Sequence, residues 1–152
     1  MININMANTK FKSFQFPFEK GKVREFANAI YDPNPIYRDS QYAKSQGFSD
    51  VIIPPTFPMT ALFHVESDNI VLEVMQKLGM DPIKSVHGEI EYTYERPICA
   101  GESLRGEINI GNIYEKAGKR GGTMTFVELE IKLFDTTDRL VAIVRNTFIE
   151  KG

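Results

Sequence analysis

At 152 residues the chain is the size of one domain, able to bury about 68–70% of its unfolded surface. It is 42% hydrophobic and 25% charged with a formal net charge of −2, which gives no electrostatic argument for nucleic acid. Cys99 is the single cysteine and His64 and His87 the two histidines, so an internal disulfide is excluded and a conventional structural zinc site is not expected.

Met1 to Lys10 lacks a basic start followed by an apolar stretch and does not read as a signal peptide. No run approaches the roughly 18 apolar residues that span a bilayer. The expectation is a soluble, cytoplasmic protein with a flexible end over residues 1–9 and one domain over 10–152. Phe14, Phe16 and Phe18 alternate with other positions and predict a first strand. Val23, Phe26, Ala27 and Ile30 fall at helical spacing, predicting a helix over about 20–30.

Tyr31-Asp32-Pro33-Asn34-Pro35-Ile36-Tyr37 cannot continue that helix, because each proline fixes its own φ and restricts the residue before it. The result is a stiff loop carrying a carboxylate, an amide and a phenol. Asp32 reads either as a site carboxylate or as a turn-forming side chain. Tyr37 reads either as a site-lining phenol or as a packed aromatic. Asp39 or Ser40 caps a short helix that Gly47 ends.

Pro54, Pro55 and Pro58 make the next segment irregular, with Thr56 as the N-cap of an apolar helix through Met59, Leu62 and Phe63. This helix pauses at Ser67-Asp68-Asn69 and resumes through Val71, Val74, Met75 and Leu78 to Gly79. Its apolar circumference predicts a buried central helix. His64 reads as a core or interface histidine, and Glu66 and Asp68 as surface acids.

From Val86 the period changes to two. Val86, Gly88, Ile90, Tyr92 and Tyr94 share one face, opposite His87, Glu89 and Glu91. Leu104 to Ile110, Thr125 to Leu133 and Leu140 to Ile149 continue the alternation. Ala100-Gly101, Lys119-Arg120-Gly121-Gly122 and Thr136-Thr137-Asp138 have hairpin chemistry. The pattern predicts an α+β fold, a twisted antiparallel sheet of about five strands around a long helix. Lys116, Lys119 and Arg120 read as a solvated hairpin tip, with phosphate contact as the alternative.

The order of elements is similar to the hot dog fold. Asp32-Pro33-Asn34-Pro35-Ile36 resembles the hydratase motif of MaoC-like proteins, the R-specific enoyl-CoA hydratases and 3-hydroxyacyl thioester dehydratases. Ala43 to Phe48 and Ile53-Pro54-Pro55-Thr56-Phe57-Pro58 resemble the N-terminal dehydratase domain branch. So do His87-Gly88-Glu89, Arg96-Pro97, Gly101-Glu102 and Gly122 to Val127. The likeness runs from about Phe14 to Glu150.

The resemblance implies a hydratase/dehydratase of trans-2-enoyl and (R)-3-hydroxyacyl thioesters, carried by CoA or acyl carrier protein, with no cofactor and no metal. It implies catalytic roles for Asp32, Asn34 and Tyr37, and substrate-binding roles for Pro55, Thr56, Phe57 and His87. Family members hold a water between an aspartate and a histidine five residues on, and stabilise the thioester oxygen with a backbone N–H. This chain departs twice. Tyr37 stands at the histidine position, and a phenol with a reference pKa of about 10 is a poor base. Pro54-Pro55 replaces the family's His-Gly, leaving the Thr56 amide as the donor. Both departures are typical of a non-catalytic half in a two-hot-dog unit. Because hot dog proteins pair the open edge of the sheet across a two-fold, a homodimer, or a heterodimer with a second hot dog subunit, is expected. A thioesterase using Glu66 or Asp68, and a thioester-sensing module, are the alternatives.

Overall fold

The structure, a computed structural model, describes residues 2–118 and 121–152. Its strands are β1 (Thr9–Pro17), β2 (Ser85–Tyr94), β3 (Ser103–Ala117), β4 (Thr123–Phe134) and β5 (Leu140–Lys151). They form one antiparallel sheet in the order β1-β3-β4-β5-β2. Period-two patterning determines which face is buried. In β4, Val127, Leu129, Ile131 and Leu133 enter the core, while Glu128 and Glu130 on the other face meet Arg145 of β5. Gly106 of β3 lies opposite Phe14 of β1. A Cβ there would overlap the Phe14 ring, so the missing side chain lets that ring cross the strand.

Among the described residues, three α-helices cover the inner face: α1 (Lys20–Ala29), α2 (Ser40–Ser45) and α3 (Ile70–Leu78). α1 buries Val23 and Ala27, as their helical spacing requires. Asp39 caps α2 by accepting from the Gln41 and Tyr42 N–H groups. Asn69 caps α3 through the Leu72 N–H, and Gly79 ends it in the left-handed region at φ 74°. With the strands' inner faces, these helices build one core. Fold class and architecture are those of the hot dog.

The long central helix is realised in two pieces. Phe57–His64 is a 3₁₀ segment, and α3 begins only after the Ser67-Asp68-Asn69 break. The expected burial fails over the first piece, where Met59 is 50% and Phe63 87% exposed. A 3₁₀ segment hemmed in by Pro54, Pro55 and Pro58 repeats every three residues, so it turns only Phe57, Pro58 and Ala61 fully inward. Thr56 stands at the N-cap position, but its side chain caps nothing.

The Ala100-Gly101 turn is not a hairpin. β2 pairs with β5 and β3 with β1, so the connection crosses the sheet. Pro97 cannot donate to a ladder. The connection instead pairs with residues 51–53, Ile53 N–H to Ile98 O at 3.0 Å and Ala100 N–H to Val51 O at 2.8 Å. The Arg96–Glu102 ion pair at 2.7 Å closes it. Residues 2–8, expected as a flexible end, fold back onto the domain. Ile4–Met6 forms a 3₁₀ turn, and the Asn3 N–H donates to Leu78 O at 2.8 Å. No helix among the described residues is long and apolar enough to cross a membrane.

Candidate functional site

The 31–37 loop is built by its own side chains. Tyr31 takes φ +55°, a left-handed conformation uncommon outside glycine, and turns the chain sharply off α1. The Asp32 N–H then donates to Ala27 O at 2.9 Å. Asp32 Oδ1 accepts the Asn34 N–H at 2.9 Å, and Asn34 Oδ1 accepts the Ile36 N–H at 3.0 Å. These are two consecutive Asx turns. Arg38 donates to both Asn28 Oδ1 and the Asp32 carbonyl, tying the loop to α1. Asp32 is half-buried, and only one of its carboxylate oxygens is taken by the turn.

Tyr37 lies under this loop at 8% exposure. Burial raises its pKa above the ordinary value, and the Asp32 charge raises it further. The phenol therefore stays protonated across the physiological range. It can donate a hydrogen bond, but it cannot act as a base there.

The Pro55-Thr56 turn stands beside the loop. Tyr94, at the end of β2, donates its hydroxyl to Pro55 O at 2.6 Å. Burial raises the Tyr94 pKa most, and the neighbouring Tyr92 and Tyr37 add to it. Tyr94 thus ties the end of β2 to the Pro55-Thr56 turn. Sequence reasoning did not single out Tyr94 as a site residue. The period-two face that carries it was the available signal.

Pro55 and Thr56 are exposed and Phe57 is buried. Phe57 stacks on Phe16 with ring centroids 6.1 Å apart, and meets the edge of Phe26 at 5.3 Å. Together with Phe26, Thr60, Phe63 and His64 it lines an apolar cleft of about 490 Å³ between α1 and the 57–64 segment. Asp32 does not line that cleft. His64 is exposed, its ring 4.9 Å from Phe16.

The structure does not bring His87 to this site. It lies against Phe148, ring centroids 5.3 Å apart, at the far end of β2 from Tyr94, about 23 Å away along the strand. A bulge between His87 and Glu89 interrupts the pairing there. Glu66 and Asp68 are exposed in the loop between the 3₁₀ segment and α3. Lys116 lies over the Tyr114 and Phe126 rings. Lys119 and Arg120 fall outside the described residues.

A family model described as the FAS1-like dehydratase domain region matches residues 5–144. The chain belongs to this dehydratase-domain family. A curated UPF0336 protein of Saccharopolyspora erythraea is 34% identical over 131 residues, which is 86% of this chain and 79% of that one. Among solved structures, the C-terminally truncated HadBC (3R-hydroxyacyl-ACP dehydratase) complex of Mycobacterium tuberculosis aligns with a TM-score of 0.74 at 18% identity, covering 95% of this chain and 96% of that one. A MaoC-like dehydratase aligns with a TM-score of 0.78 at 21% identity, covering 95% of this chain and 41% of that one. At these identities the structural likeness is one of fold, and it is the fold of the MaoC-like dehydratases. Family membership carries the hydratase/dehydratase type.

Proposed function

We propose that the chain is one hot dog half of a dehydratase that adds or removes water on trans-2-enoyl and (R)-3-hydroxyacyl thioesters of CoA or acyl carrier protein. Its partner is a second hot dog subunit, which supplies the catalytic base. The observation that carries this reading is Tyr37. Beside Asp32, where the chemistry asks for a group that exchanges protons near neutrality, stands a buried phenol held protonated.

In this reading the chain contributes binding surface rather than a base. Water's oxygen adds at the β-carbon and a proton at the α-carbon, and negative charge passes through the thioester oxygen. The Thr56 N–H, at the start of the 3₁₀ segment, takes up that charge. The cleft lined by Phe26, Phe57 and Phe63 offers apolar surface to the acyl chain. Two comparisons support a paired arrangement. One fold neighbour is a two-component complex, and in the other this chain accounts for 41% of a longer polypeptide. The edge strand β2 is the natural seat for a partner. Such a protein would work in the cytoplasm.

The test follows loss of enone absorbance with trans-2-butenoyl-CoA. The chain alone gives no turnover, and mixing it with a hot dog protein carrying the aspartate and histidine together gives turnover. A second reading, in which the chain acts alone, is favoured by the Asp32 carboxylate, which keeps one oxygen out of its own turn and whose charge reaches the Tyr37 phenol. Its signature is turnover by the isolated chain that Asp32→Asn abolishes. Thiol release without loss of the enone would point to a thioesterase instead.

A further inference from the structure

The 54–59 segment has few N–H groups to offer. Pro54, Pro55 and Pro58 have none. The Phe57 N–H goes to Pro54 O at 2.9 Å and the Met59 N–H to Thr56 O at 3.2 Å. The Thr56 N–H alone is left to a ligand. Its orientation depends on the peptide it belongs to, whose carbonyl is that of Pro55.

A trans peptide is planar, with its C=O and N–H pointing in opposite directions. The Pro55–Thr56 peptide is trans. A hydrogen bond on Pro55 O therefore fixes the direction of the Thr56 N–H, and by polarising the amide it also strengthens that donor. Tyr94 makes this bond at 2.6 Å. Its own position is rigid. Its backbone pairs with Ala142 of β5, the next residue's N–H donates to Val141 O at 2.9 Å, and its ring packs on the core.

We propose that Tyr94 is a positioning residue: its hydroxyl, seated on the Pro55 carbonyl, holds the Pro55–Thr56 peptide plane so that the Thr56 N–H faces outward to receive a thioester carbonyl. The identity of that ligand rests on the dehydratase reading, but the clamp itself does not. Tyr92, two residues earlier on the same face, makes no such bond and is the internal control.

The experiment is nitrogen-15 relaxation on the full chain. In the wild type the Thr56 N–H has a rigid order parameter of about 0.85, and in Tyr94→Phe it falls below about 0.6. Tyr92→Phe leaves it unchanged, as it does the Phe57 N–H. A Thr56 order parameter equal in wild type and Tyr94→Phe overturns the proposal. Should the phenylalanine variant fail to fold, 3-fluorotyrosine at position 94, a stronger donor, moves the Thr56 amide resonance downfield, and no movement overturns the clamp. In the reconstituted enzyme, Tyr94→Phe lowers kcat/KM about tenfold, the loss of about one hydrogen bond, while Tyr92→Phe leaves kcat/KM unchanged. If the wild-type mixture shows no turnover, the dehydratase reading fails while the relaxation result still decides the role of Tyr94.

Discussion

Asp32 Oδ1 accepts the Asn34 N–H at 2.9 Å, so the carboxylate closes its own turn. That bond separates two roles that one substitution cannot. Asparagine retains an acceptor oxygen and removes the charge, whereas alanine removes both. Asp32→Ala destabilises the fold by about 1 kcal/mol, and Asp32→Asn leaves the melting temperature unchanged. With the partner as source of the base, Asp32→Asn retains turnover in the mixture within about threefold. Thermal unfolding of both variants, with rates for the mixture, checks this.

Tyr37→His places an imidazole where the phenol now lies beside Asp32. The variant is about 1–3 kcal/mol less stable, because the half-filled site loses packing. It should hydrate trans-2-butenoyl-CoA as an isolated chain, about 100-fold above the uncatalysed background. A base must be neutral to accept a proton, so this rate falls as pH drops through about 6.5. A flat pH profile would show that the imidazole is not the acting group.

Phe57 links the Thr56 turn to the core through Phe16, Phe18 and Phe26. Phe57→Ala should cost about 3–5 kcal/mol. Denaturant unfolding measures the loss. A cost under about 1 kcal/mol would mean that the aromatic cluster closes over the gap and that the turn does not depend on it.

Asp135 holds the β4–β5 turn. Its carboxylate accepts from the Thr137 hydroxyl and the Thr137 N–H, and these bonds lower its pKa from 3.8 to about 2. The native turn prefers the charged form. Its contribution to stability is therefore complete above the unfolded value near 4 and is lost as pH falls from there through about 2. An NMR titration should find the Asp135 midpoint at about 2. A midpoint of 3.8 would mean that the Thr137 bonds do not persist in solution.

Much of the fold was legible because burial imposes a period. The strand faces and the Val23–Ala27 stripe of α1 follow directly from it, and Asp39, Gly47 and Gly79 act at helix ends as their chemistry requires. Strand order was less legible. Hairpin residues at Ala100-Gly101 say that the chain turns there, but not which strand it then meets. The exposed Phe63 was misread because an apolar residue records a need for cover without saying whether core or cleft supplies it. The Asp32 loop was legible as stiff, and its two Asx turns follow from Asp-Pro-Asn-Pro. Tyr94 was not, since a contact between residues 55 and 94 leaves no local mark on either.

The most direct measurement is a reconstitution titration. The hydration rate of trans-2-butenoyl-CoA is followed at a fixed concentration of a hot dog protein carrying both aspartate and histidine while this chain is added. The rate should start near background, rise linearly and break to a plateau at one chain per partner. A rate set by this chain alone and indifferent to the partner would contradict the assignment of the base to the second subunit.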